Sequence, residues 1–194
     1  MKFRNLSHTT DVIFRKMHFL FGKRNLWHAV WWGVKLGRGA QFYGKCHFKR
    51  FPKSTIQIGN ACEFLSAPNA NLIGINRPCM ISTLTEEANL QIGNNCGFSG
   101  TVIGAFTTIK IGDNVRCGAN TLITDSDWHP GDTRVGPAKP VTIGNNVWLG
   151  INVVVLKGVE IGDNSVIGAN SLVTKNIPAN VIAAGSPCRE IAKL

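Results

Sequence analysis

The sequence predicts an all-β chain wound as a parallel β-helix of hexapeptide repeats, with a protruding loop, an N-terminal cap segment and a short C-terminal helix. Three observations carry this. From Ile143 the chain divides into sixes: IGNNVW, LGINVV, VLKGVE, IGDNSV, IGANSL, VTKNIP. The first place is always Ile, Leu or Val, and a small or β-branched residue commonly takes the fifth, a spacing that no amphipathic helix of period 3.6 can use. Gly and Asn recur at the second to fourth places, where the backbone must turn through φ > 0.

Each unit is therefore a short strand and a corner, and three units close one triangular coil. The spacing of Ile143 and Ile161 is 18 residues, so each apolar side chain stacks on its counterpart one coil away. The same signature recurs at Ile58, Ile92 and Ile111, raggedly, since Ile92 to Ile111 spans 19 residues and Ile58 to Ile92 spans 34. Repeats run from about Leu36 to Val181, room for seven or eight coils. Of the six cysteines, Cys62 and Cys96 hold fifth places and Cys117 a first place, which makes them core fillers. None forms a C-x-x-C pair, so a zinc ribbon or redox motif is poorly supported. The expected division is 1–33 as the cap segment, 34–185 as the β-helix with an inserted loop at 124–142, and 186–194 as the helix. Ser186 would be that helix's N-cap, and Pro187 its first residue.

Composition narrows the class. Of 194 residues 44% are hydrophobic and 16% charged, so the chain should fold. It has no apolar run of about 18 residues to span a bilayer and no secretory signal pattern, so a cytoplasmic protein is expected. The net charge of +10 is uneven. Residues 1–53 hold twelve Lys/Arg and one acid, Asp11, whereas residues 54–194 hold nine and ten. Residues 11–34 mix these basic residues with Phe14, Phe19, Phe21, Trp27, Trp31 and Trp32. Such a segment suits a cap over the first coil, and also peripheral contact with the inner face of an anionic membrane. No recognition motif for nucleic acid accompanies the charge.

The repeat breaks once at length, after Ile123, at "TDSDWHPGD". Functional loops on solenoids leave the coils in this way. His129 lies there beside Asp125, Asp127 and Asp132, before the stiffening Pro130, and is the only histidine after residue 47. An imidazole titrating near working pH suits a general base.

The stretches "ITDSDWHP" and "PVTIGNNVWLGINVVVLKGVEIGDNSVIGANSLVTKNIPANVIAAGSPCREI" resemble the hexapeptide-repeat acyltransferases, closest to their galactoside/maltose O-acetyltransferase and polysaccharide O-acetyltransferase branch. That resemblance implies a left-handed winding and a homotrimer with active sites between subunits. It implies acetyl-coenzyme A as donor, with no metal, and direct transfer of acetyl to a sugar hydroxyl by His129. Trp148 would pack beside the histidine; its alternative is a surface aromatic at a subunit contact. Gly150, Ile151, Ala169, Thr174, Lys175 and Arg189 match positions that contact coenzyme A, although the family usually has Ser or Ala at Ile151. The acceptor side departs from the branch: Ser99 stands near an Asn that holds a sugar hydroxyl there, and Asp127 is the other acceptor or His-orienting candidate. An N-acetyltransferase of amino sugars, an antibiotic acetyltransferase and a non-enzymatic scaffold are the alternatives. A zinc carbonic anhydrase needs three histidine ligands, and the coils hold two, His47 and His129.

Overall fold

The computed structural model describes residues 22–194. Residues 11–21 of the basic aromatic segment, and the first 21 residues of the expected cap, lie outside the described residues. A helix, α1, covers residues 22–31. The first coil follows as β1 (Lys35–Leu36), β2 (Gln41–Tyr43) and β3 (His47–Lys49), the second as β4 (Thr55–Ile58), β5 (Glu63–Leu65) and β6 (Met80–Thr83). The third is β7 (Asn89–Ile92), β8 (Gly97–Ser99) and β9 (Val102–Ala105); the fourth is β10 (Thr108–Ile111), β11 (Arg116–Cys117) and β12 (Leu122–Thr124). The fifth is β13 (Val141–Ile143), β14 (Trp148–Leu149) and β15 (Val154–Val155). The sixth is β16 (Glu160–Ile161), β17 (Val166–Ile167) and β18 (Leu172–Val173), and β19 (Val181–Gly185) and β20 (Cys188–Lys193) end the chain.

Every third strand pairs in parallel, so the three strands of each coil build three faces of a left-handed prism. Face A starts at β1, face B at β2 and face C at β3. Register aligns first-place residues: Ile58, Ile92, Ile111, Ile143 and Ile161 form one column on face A, each at most 4% exposed. Face B begins with stacked rings, Phe42 on Phe64 at 5.0 Å and Phe64 on Phe98 at 5.3 Å, and continues with Cys117 and Leu149. All six cysteines are buried and free of disulfides. The corner between faces A and B shows why the repeat needs Asn. Asn95, Asn114, Asn146, Asn164 and Asn180 all take φ between 55 and 61°. Their side-chain amides bond in a ladder at 2.7–3.0 Å. A short polar side chain tolerates the left-handed backbone and bonds its copy in the next coil.

Three expectations are corrected. The described residues close six coils and part of a seventh, fewer than the seven or eight expected, because residues 66–79 and 125–140 leave the prism as insertions. The prism resumes at Val141, inside the expected loop span of 124–142. Residues 188–193 are a strand, β20, antiparallel to β19, where a C-terminal helix was expected over 186–194. Ser186 and Pro187, joined by a cis peptide bond, form its turn. So short a tail makes at most about two helical turns with no packed face, whereas pairing satisfies the open backbone edge of β19.

Candidate active site

The second insertion leaves face C at Thr124 and returns to face A at Val141. Its departure point is fixed by Asp125, which is fully buried. That carboxylate accepts the backbone N–H of Phe106 at 2.7 Å and of Thr107 at 2.7 Å, and the Thr107 hydroxyl at 2.9 Å. The Asp125 carbonyl accepts Lys139 N–H at 2.9 Å, and the Lys139 carbonyl accepts Gly158 N–H at 3.0 Å. The insertion thus has a closed neck, bonded to the coil before it and the coil after it.

Above the neck, Trp128 sets the course of the chain. Its φ is +66°, rare for an aromatic residue, and its indole N–H donates to Thr124 Oγ1 at 2.8 Å. The ring lies across Gly104 and meets Phe106 edge-on at 5.5 Å. A Cβ on Gly104 would come within 2.3 Å of that ring, so only glycine leaves the seat open. With Trp128 turned back on the prism, His129 is carried outward. It is exposed, and no described residue hydrogen-bonds its imidazole. A turn follows, closed by Asp132 N–H to the His129 carbonyl at 3.2 Å. Arg134 hydrogen-bonds the Asp132 carboxyl through side chain and backbone and holds it below the usual carboxylate range.

Lys157, at the corner one coil on, reaches both arms of the insertion. Its ammonium pairs with the Asp127 carboxylate and donates to the Gly136 carbonyl at 3.1 Å. Asp127 is therefore engaged by a cation of the prism, with 42% of its side chain exposed.

The other candidates fall into separate places. Thr174 and Lys175 lie exposed at the corner between faces C and A, one coil beyond Lys157. Gly150 and Ile151 turn the corner between faces B and C; a Cβ on Gly150 would lie 2.7 Å from the nitrogen of Ala169 beneath it. Arg189 is exposed on β20 and donates to the Cys188 carbonyl at 2.7 Å. Trp148 stands 58% exposed on face B, whereas the His129 insertion leaves at the corner of faces C and A, so one chain does not bring them together. Ser99 is 5% exposed, and its hydroxyl accepts from Asn71 at 3.1 Å. Thr124, Gly104, Asp125 and Lys157 shape the insertion without having been assigned a role from sequence. The available signal was their position at the same corner in successive coils, which appears only after the second insertion is subtracted from the count.

The bacterial transferase hexapeptide family (six repeats) matches residues 140–175. Galactoside O-acetyltransferase of Escherichia coli (strain K12) is 47% identical over 113 residues, 55% of this chain and 55% of that protein. Protein CapG of Staphylococcus aureus is 36% identical over 118 residues, 56% of this chain and 69% of CapG. Among solved structures, a mutant of AntD, an N-acyltransferase from Bacillus cereus in complex with dTDP and coenzyme A, aligns with a TM-score of 0.62 at 20% identity. The alignment covers 82% of each chain, and at that identity it shows a shared fold. The matched segment spans about half the length of the galactoside relative.

Proposed function

The chain belongs to the bacterial hexapeptide-repeat transferases, and from that premise we propose that it transfers acetyl from acetyl-coenzyme A to a sugar hydroxyl, on a glycoside or a surface-polysaccharide precursor. The observation that carries the reading is the way the second insertion is built. A buried carboxylate, an indole folded back on glycine and a lysine clamp all serve to hold out one unengaged imidazole. The resemblance to a galactoside O-acetyltransferase supports the acceptor class.

In this reading His129 is the general base. Its neutral imidazole takes the proton of the acceptor hydroxyl as the oxygen attacks the thioester carbonyl of the donor. The tetrahedral oxyanion collapses, the carbon–sulfur bond breaks, and the imidazolium returns its proton to the departing thiolate. The thioester is already activated, so no covalent enzyme intermediate is needed, and no serine or cysteine nucleophile is assigned. Backbone N–H groups at a corner would serve the oxyanion. Thr174 and Lys175 at one edge of face C, and Gly150, Ile151 and Ala169 at the other, would line the donor, with Arg189 toward its phosphates. Trp148 and His129 occupy different sides of one prism. They can therefore share a site only between copies, as in a homotrimer with sites at the subunit boundaries. Asp127 stands two residues from the base and is the nearer acceptor candidate; Ser99, buried under Asn71, would act through that amide.

The test is release of coenzyme A thiol with a panel of galactosides and other sugars, for the parent and His129→Ala. Transfer should fall by about 10²- to 10⁴-fold, with the thermal transition unchanged because His129 is exposed. A parent inactive with every acceptor, or a variant as active as the parent, would overturn the reading.

A further inference from the structure

Helix α1 buries only one side. Asn25 donates from its amide to the Gly44 carbonyl at 2.8 Å and accepts Cys46 N–H at 3.0 Å, and Ala29 is fully buried. Trp32 turns back toward the helix, its indole N–H donating to His28 at 3.1 Å. The outer side is apolar: Trp27, Val30 and Trp31 are 64%, 69% and 71% exposed, and Leu26 joins them at the edge. Trp27 and Trp31, one turn apart, stack with centroids 5.3 Å apart. A cleft of about 530 Å³ beside the helix, lined by Lys23, Leu26, Ala40 and Phe42 among others, continues this apolar surface onto the first coil.

The charge carried by the helix and the first coil has one sign. Residues 22–53 hold eight Lys/Arg and no acid. Lys23 and Arg24 are exposed on the helix itself. Indoles with aliphatic neighbours favour the boundary between lipid headgroups and acyl chains, and basic side chains beside them favour anionic headgroups. No helix of the described residues is long and apolar enough to cross a membrane, so the arrangement suits lying on the surface. A nucleic acid would match the charge but leave Val30 and Leu26 without a partner.

We propose that α1 docks this end of the prism on an anionic lipid surface, with Trp27, Val30 and Trp31 in the interfacial layer and Lys23 and Arg24 against lipid phosphates. The strands of successive coils lie about 4.8 Å apart, and the second insertion leaves between the fourth and fifth coils. The insertion that carries His129 then leaves the prism roughly 15–20 Å along its axis from the first coil, within reach of an acceptor tethered to the same membrane. The docking itself stands independently of the proposed catalysis.

The test is flotation of the full-length protein with vesicles of phosphatidylcholine alone or mixed with phosphatidylglycerol, at low and high salt. The parent should float with the mixed vesicles, less so at high salt. Trp27→Ser with Trp31→Ser should abolish flotation without changing the thermal transition, since both indoles are exposed. Lys23→Glu with Arg24→Glu should weaken it by at least about tenfold. Three outcomes overturn the proposal: no flotation of the parent, equal flotation on neutral vesicles, or variants that float as the parent does. A Trp27→Ser, Trp31→Ser protein that is smaller in solution than the parent, with no vesicle binding by either, would assign the face to a second copy. Loss of oligonucleotide retention in the same circumstance would assign it to nucleic acid.

Discussion

The two insertions leave the same prism and are held by different groups, the first largely through amides and the second through a buried carboxylate and an ammonium. Residues 66–79 depart between faces B and C of the second coil, and one asparagine amide and one guanidinium anchor them. Asn120, at φ +62°, accepts Asn76 N–H at 3.0 Å and donates to the Gly74 carbonyl at 2.9 Å, while Arg77 donates to the Asn120 carbonyl. Their tip is Leu72, 92% exposed, and Ile73, with no charge between Ser66 and Asn76. The 125–140 insertion departs at the next corner, two coils on. It is anchored by a buried carboxylate and an ammonium, and its outer part carries His129, Asp132 and Arg134. A loop fixed by charge-assisted bonds at neck and shoulder keeps its tip in place. The comparison therefore separates an arm that holds out an imidazole from one whose exposed tip is apolar.

The comparison can be broken first at Asp125. Replacing it by Ala leaves two backbone N–H groups and a hydroxyl without their acceptor, costing about 3 kcal/mol or more. The melting temperature should fall by roughly 10 °C, read by calorimetry; an unchanged transition would mean the neck is not what holds the insertion. Lys157→Met tests the shoulder. The pair is half-exposed, so stability should change by less than about 1 kcal/mol. Amide exchange in residues 126–138 should quicken, and acetyl transfer should drop about tenfold at unchanged KM for the donor, with Lys157→Arg recovering most of it. Exchange as slow as in the parent would remove Lys157 from this role. The smallest effect belongs to the first insertion. Leu72→Ser should leave stability within about 0.5 kcal/mol and transfer unaltered, and a variant defective in transfer would place that tip in the acceptor site.

The second insertion was legible because it interrupts the densest repeats and carries unusual residues: a tryptophan, a histidine and three acids within eight positions, 125–132. The first was visible only as 34 residues between Ile58 and Ile92, in a stretch where the hexads are already irregular. Its sequence, SAPNANLIGINRPC, contains an Ile-Gly pair of its own, which imitates a repeat and hides the departure. Ser99 illustrates the consequence. It ends strand β8, and Asn71 from the first insertion lies over its hydroxyl. The same blindness to long-range contact explains the C-terminus, where local capping signals at Ser186 and Pro187 pointed to a helix and the free edge of β19 took the segment instead.

By itself the sequence determined the triangular coil and the core. An 18-residue spacing of Ile, Leu and Val with Asn at the corners leaves a chain few other ways to bury those side chains and turn the backbone. It also marked His129. Tertiary structure decided how that histidine is presented. The partners concerned, Asp125 with Phe106 and Thr107, Trp128 with Gly104, and Asp127 with Lys157, are 18 to 30 residues apart. Stacking of coils makes them neighbours, and how many residues leave the prism between coils sets which ones meet.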